Sequence, residues 1–140
     1  MSAPASPADA AEAALTAAAL AARENAYAPY SGFAVGAAVR DEHGRIHAGC
    51  NVENAAYPQG QCAEATAIGA MVTAGGRRIT AAAIAGPDHT VCSPCGGCRQ
   101  RLAEFAPPDT PVTVCGPGGV LARYTVGGLL PAGFGPAQLD

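Results

Sequence analysis

Two short cysteine motifs constrain this chain more than anything else in it. Cys62-Ala63-Glu64 and Pro94-Cys95-Gly96-Gly97-Cys98 each stand where a helix is expected to begin. A fold that uses them together must bring two helix starts, separated by an intervening strand, to one place. Helix N-termini suit thiolates, because their first backbone N–H groups lack intrahelical partners and the helix dipole favours negative charge.

The rest of the chain reads as alternating helices and strands. Asp9 and Glu12 have capping-box spacing, and Leu15, Ala18, Ala19 and Ala22 recur at helical intervals, so a first helix is expected over about 10–23. Residues 1–9 are expected to be a disordered extension. Pro29 and Gly32 make 27–32 a loop. Strands are expected at 33–41 and 45–52, joined as a hairpin through Glu42-His43-Gly44. A helix follows at 62–73 and stops at Gly75-Gly76. Residues 79–86 are nearly all apolar, as in a strand covered on both faces. A third helix spans 95–105, short strands lie at 112–115 and 121–124, and a helical turn precedes Pro131. This order predicts a single α/β domain over 1–140: a three-layer α/β/α sandwich with a mixed sheet of about five strands.

Cys95 and Cys98, three apart at a helix start, can put both sulfurs on one metal, and Cys62 from the other helix makes a third ligand. Three protein ligands leave tetrahedral zinc one open position, the arrangement of catalytic rather than structural zinc. Glu64 is badly placed to be a fourth ligand but close enough to move protons. Cys-x-x-Cys alone would equally suit a structural zinc knot; the upstream Cys-Ala-Glu is what argues against it.

Charge narrows the substrate. The 140 residues carry a formal net charge of −3, and the eight basic residues are all Arg, with only Arg77 and Arg78 adjacent. Polynucleotide binders usually carry a basic stripe, so a small uncharged substrate is expected, and no nucleic-acid partner. The N-terminus lacks the basic region of a signal peptide, Asp9 and Glu12 interrupt it, and no apolar run is long enough to span a bilayer. A cytoplasmic protein without membrane contact is expected, and its six Cys point to metal, catalysis or burial before disulfides.

From about Tyr27 to Leu139 the sequence resembles the small, homotetrameric-type cytidine deaminases. The resemblance rests on the segments Tyr27–Ala37, Gly49–Tyr57, Cys62-Ala63-Glu64, Ser93–Gln100 and Leu129–Pro136. It implies one zinc ion per chain, held by Cys62, Cys95 and Cys98. Glu64 would be the acid/base that protonates ring N3 while activated water attacks C4 of cytidine or deoxycytidine. The Ala63 backbone N–H would hold the base near O2, and Asn51 and Glu53 would hydrogen-bond the ribose 3′-hydroxyl. Phe33 would pack near the pyrimidine. Phe134 matches a tail aromatic that reaches a neighbouring subunit's site, so the resemblance implies a homotetramer with sites at its interfaces, acting in pyrimidine salvage.

The pairing of Asn51 with Glu53 also has a physical basis. Side chains at i and i+2 of extended backbone point the same way, and an amide beside a carboxylate can grip one hydroxyl from both sides.

One departure stands out. The family often has Arg directly after Cys-Ala-Glu, and this chain has Ala65. Three thiolates with zinc sum to −1, which a guanidinium would offset, and Arg99 beside Cys98 is expected to do so alone. Two rival readings remain: a related deaminase of another nucleoside such as blasticidin S, whose relatives also lack that Arg, and a non-catalytic structural zinc-binding protein. Cys50, Cys92 and Cys115 are expected to be buried free thiols, and His43, His47 and His89 to lie at the surface or strand edges.

Overall fold

The computed structural model describes residues 6–140. Helix α1 covers Pro7–Arg23, β1 Gly36–Asp41, β2 Ile46–Cys50, α2 Ala63–Thr73, β3 Ile79–Ala85, α3 Gly96–Phe105, β4 Pro111–Gly116, β5 Gly119–Thr125 and α4 Val126–Leu129. The sheet order is β2-β1-β3-β4-β5. β1 runs antiparallel to both β2 and β3, β3 and β4 are parallel, and β5 is antiparallel to β4. The mixed five-stranded sheet is the one expected.

Side-chain alternation on the central strands makes the three layers. Ala37 and Val39 of β1 and Ala82 and Ile84 of β3 join one core with Ala67, Ile68 and Met71 of α2 and Leu102 of α3. Ala38, Ala83 and Ala85 face the other way and pack on Leu15 and Ala19 of α1. The strand is two-faced because it is buried on both, which is why 79–86 shows no polar alternation. Close approach is built in at Gly49 of β2, where a Cβ would stand 2.5 Å from the Ala67 backbone nitrogen of α2.

Most boundaries fall within two residues of expectation, and three of the differences have a clear local reason. α1 starts at Pro7, because Ser6 rather than Asp9 is its N-cap; Ser6 and Asp9 form the reciprocal capping box, with Asp9 on the inner side. The supposed extension 1–9 thus ends inside a helix, and its first five residues lie outside the described part. β1 starts at Gly36 and not at Phe33. Residues 33–35 do not pair with a strand: Asn51 Oδ1 accepts from Val35 N–H at 2.9 Å and Asn51 Nδ2 donates to Phe33 O at 2.8 Å. β2 ends at Cys50, where Asn51 begins that work. Among the histidines, His47 lies on the edge strand β2, as expected, but its ring turns inward. Its side chain is 10% exposed, with Nε2 2.8 Å from the fully buried Asp41 carboxylate.

The sheet topology explains why two helix starts converge. β1 is antiparallel to both neighbours, so β2, β3 and β4 all run in one direction. The carboxyl ends of β2 and β3 therefore lie at the same edge of the sheet, and α2 and α3 both begin from that edge. In open α/β sheets this is where ligands bind.

Candidate active site

Cys62 and Cys95 are the N-cap residues of α2 and α3, both in extended backbone. Cys98 lies one turn inside α3 and is fully buried. The three sulfurs lie within 4.8 Å of one another, and Cys62 Sγ is 3.9 Å from Cys95 Sγ. Tetrahedral zinc at a Zn–S distance of about 2.3 Å spaces its sulfurs ~3.8 Å apart. The donor set fits zinc in number, chemistry and spacing. It is the only group of three potential ligands found among the described residues. Burial pushes the Cys98 thiol far above its ordinary range, with the charges of Glu64 and Cys62 adding to the effect. A buried cluster of this kind ionises readily only beside a cation.

Glu64 is the second residue of α2 and is 5% exposed. Burial raises its carboxyl above the ordinary carboxylate range, against hydrogen bonds from its own backbone and the Cys98 thiol and the positive charge of Arg101. A buried carboxyl shifted upward beside a metal-binding cluster is a candidate for proton transfer.

A cavity of about 390 Å³ opens over this cluster, a size usual for small-molecule sites. Phe33, Asn51, Glu53, Cys62, Ala63, Glu64 and Cys95 all line it. Asn51 and Glu53 do share a face, but both are already engaged. Glu53 Oε1 accepts from the Tyr30 and Ser31 N–H groups at 3.0 and 3.1 Å, and Oε2 accepts from the Ser31 hydroxyl. The Ser31 hydroxyl does most to hold the Glu53 carboxyl below its ordinary range, working with these N–H groups against desolvation. The pair therefore fixes loop 30–35 at the cavity wall. Each side chain still has hydrogen-bonding capacity left, since a carboxylate offers about four acceptor sites and an amide two donors and two acceptors. Ala63 is the first residue of α2, so its N–H has no intrahelical partner.

Two predicted residues stand apart. Phe134 is 58% exposed on the tail and does not line this cavity; its carbonyl accepts from Gln100 Nε2 at 2.8 Å. Arg99 does not reach a sulfur. Its guanidinium donates to Pro94 O at 2.7 Å, Leu129 O at 3.0 Å and Ser93 Oγ at 3.3 Å, fastening the loop before Cys95 to the end of α4. The guanidinium that does reach a sulfur is that of Arg101, with Nη1 3.5 Å from Cys98 Sγ. Sequence reasoning passed over it, although residues three apart on a helix are neighbours. It also passed over Ser93, and it read Cys92 only as a buried thiol; both line the cavity, and Cys92 is half-buried.

Comparison with known proteins agrees with this geometry. Residues 9–114 match the family described as the cytidine and deoxycytidylate deaminase zinc-binding region. The chain is 44% identical to the cytidine deaminase of Sporosarcina psychrophila over 119 residues, 85% of this chain and 88% of that one. Its fold matches the crystal structure of cytidine deaminase from Burkholderia pseudomallei with a TM-score of 0.81 at 45% identity, covering 87% of this chain and 98% of that one. The corresponding Mycobacterium tuberculosis structure gives 0.76 at 39% identity, covering 89% and 97%. With the sequence match running through both cysteine motifs and the fold shared almost end to end, the chain belongs to the cytidine and deoxycytidylate deaminase family.

Proposed function

We propose that this chain is a zinc-dependent cytidine deaminase, converting cytidine or deoxycytidine and water into uridine or deoxyuridine and ammonia. The observation that carries the reading is a buried Glu64 beside a three-sulfur cluster at the floor of a nucleoside-sized cavity. A structural zinc site has no use for such a carboxyl, and it normally has four protein ligands.

Cys62, Cys95 and Cys98 would hold one zinc ion per chain. Zinc, when bound, supplies the Lewis acidity that brings the pKa of water toward neutrality. Glu64 takes a proton from the attacking water and delivers it to ring N3; it then takes the proton of the new C4 hydroxyl and delivers it to the amine, which departs as ammonia and leaves the carboxylate as it began. The Ala63 N–H orients the base through O2. Asn51 and Glu53 use their remaining hydrogen-bonding capacity on the ribose 3′-hydroxyl, and Phe33 covers the pyrimidine.

The site of one chain is incomplete in this reading. Phe134 would enter a neighbour's cavity and stack on its base, in a homotetramer. Exposed aromatic rings near the cavity support assembly there: Tyr30 and Tyr57 meet edge to face at 6.0 Å, in a hollow that shares Ser31 and Glu53 with the site. No helix among the described residues is long and apolar enough to cross a membrane. The six cysteines are all unpaired, which suits a reducing compartment, and we place the protein in cytoplasmic pyrimidine salvage.

The test is loss of ultraviolet absorbance when purified protein meets cytidine and deoxycytidine, with Glu64→Ala run alongside and zinc counted in both. Activity in the wild type, lost in a variant that keeps its zinc, is expected. Zinc-loaded protein inactive on both substrates would overturn the reading, and blasticidin S would then be assayed.

A further inference from the structure

α2 contains no Arg or Lys, so the Cys62 side of the cluster draws no cation from its own helix. Arg99 is committed to two carbonyls and a hydroxyl. That leaves Arg101, on α3. Its Nη1 lies 3.5 Å from Cys98 Sγ, and among the described residues this sulfur is its only hydrogen-bond partner. Cys98 is the most deeply buried of the three sulfur-bearing residues and has the least access to water.

A second observation concerns Gly97. Its backbone is ordinary helix, so no left-handed conformation calls for glycine there. A Cβ at this position would stand 3.2 Å from Arg101 Nη1, closer than side chains ordinarily tolerate, and, apart from its chain neighbours and the backbone of its own helix, it would meet no other atom within 4 Å. The missing side chain leaves the path over which the guanidinium folds back along α3 to reach Cys98.

We propose that Arg101 is a positioning residue for the metal site, its guanidinium holding the Cys98 sulfur and offsetting the net negative charge of three thiolates around a dication, with Gly97 providing the space it needs. This rests on the zinc reading above. Three thiolates and Zn²⁺ sum to −1, and a fixed guanidinium brings the group to neutrality while donating a hydrogen bond to one sulfur. A bond from a cation draws charge from that thiolate and orients it, so zinc should be held longer.

The test measures zinc release to a chromophoric chelator, at constant pH, from wild type and from Arg101→Ala, Arg101→Lys, Gly97→Ala and the Gly97→Ala/Arg101→Ala double variant. Loss of an outer partner of a metal ligand typically weakens metal affinity about 10–100-fold, so Arg101→Ala should release zinc about tenfold faster or more. Arg101→Lys should recover part of the difference. Gly97→Ala should also speed release while its Tm stays equal or rises, since Ala is the better helix former. The double variant should release zinc no faster than Arg101→Ala alone. In cobalt-substituted protein, the thiolate charge-transfer bands should shift in Arg101→Ala and Gly97→Ala, a signature that a purely structural role would not move. Wild-type release rates in Arg101→Ala, or additive effects in the double variant, would overturn the proposal. A wild type that binds no zinc would overturn the zinc reading itself, so the two failures are distinguishable.

Discussion

Cys62 and Cys95 occupy the same station on different helices: each is the residue that opens its helix from extended backbone, and their sulfurs lie 3.9 Å apart. Neither side chain makes a capping hydrogen bond, so both sulfurs are left for an ion. Metal bound to the folded state alone stabilises it by mass action, about 4 kcal/mol at a thousandfold excess over Kd, or on the order of 10 °C in Tm. Chelation should lower Tm by that order. Cys95→Ala should start at the lower Tm and respond little to chelator, as differential scanning calorimetry would show.

Asn51 substitutes for a strand partner by pairing with both Phe33 O and Val35 N–H. Asn51→Ala should cost about 1–3 kcal/mol from the groups it leaves unpaired. It should also lower kcat/KM by loosening the wall that carries Phe33. Asn51→Asp should keep the Val35 bond but set a carboxylate against the Phe33 carbonyl, so it should not rescue activity. Denaturant melts and initial rates would read both.

Asp41 sets an acid limit on stability. Its carboxyl is 1% exposed as a residue, and burial alone would raise its pKa. Hydrogen bonds from His47, the Arg45 and His43 N–H groups and the Arg45 guanidinium outweigh this and hold it far below the ordinary carboxylate range. A group depressed in the folded state stabilises fully above its unfolded pKa, ~3.9 for Asp, and loses that contribution as pH falls through the acid range. Asp41→Asn should lower Tm at neutral pH and flatten its decline below about pH 4. Tm measured against pH for both proteins decides this.

Phe134 should matter for rate far more than for folding. Stacking of an aromatic on a base is worth about 1–3 kcal/mol, while an exposed side chain contributes within about 0.5 kcal/mol to stability. Phe134→Ala should therefore keep its Tm and lose kcat/KM. If the ring acts between subunits, Phe134→Ala and Glu64→Ala chains refolded together should regain activity that neither has alone. Mixed chains no more active than the separate variants would count against an intersubunit role.

The sequence made the layered fold legible because strand burial and helix spacing are local signals. The nearly all-apolar run 79–86 and the Gly stop after Thr73 each specify one element without help from distant residues. What escaped were features made by contacts between elements. Phe33 opens the largely apolar run 33–39 and so reads as strand, yet its carbonyl is met by a side chain and not by a ladder. His47 does lie on an edge strand, as expected, but only the fold brings Asp41 to where it draws the ring inward. Arg99 attracted attention as the neighbour of Cys98 in sequence, whereas the helix places Arg101 beside the sulfur in space.

The position of β1 between β2 and β3 has a consequence for assembly of the chain itself. Cys62 follows β2 and Cys95 follows β3, so their sulfurs can meet only when both strands have zipped onto β1 at the correct offset. A slip of one residue would turn every side chain of a strand to the opposite face and displace a helix start by more than 3 Å. Ion capture at this cluster would thus act as a proofreader of strand alignment: misaligned chains would forgo the stabilisation that correctly threaded ones acquire, and would be left as the population that a cell's proteases can remove.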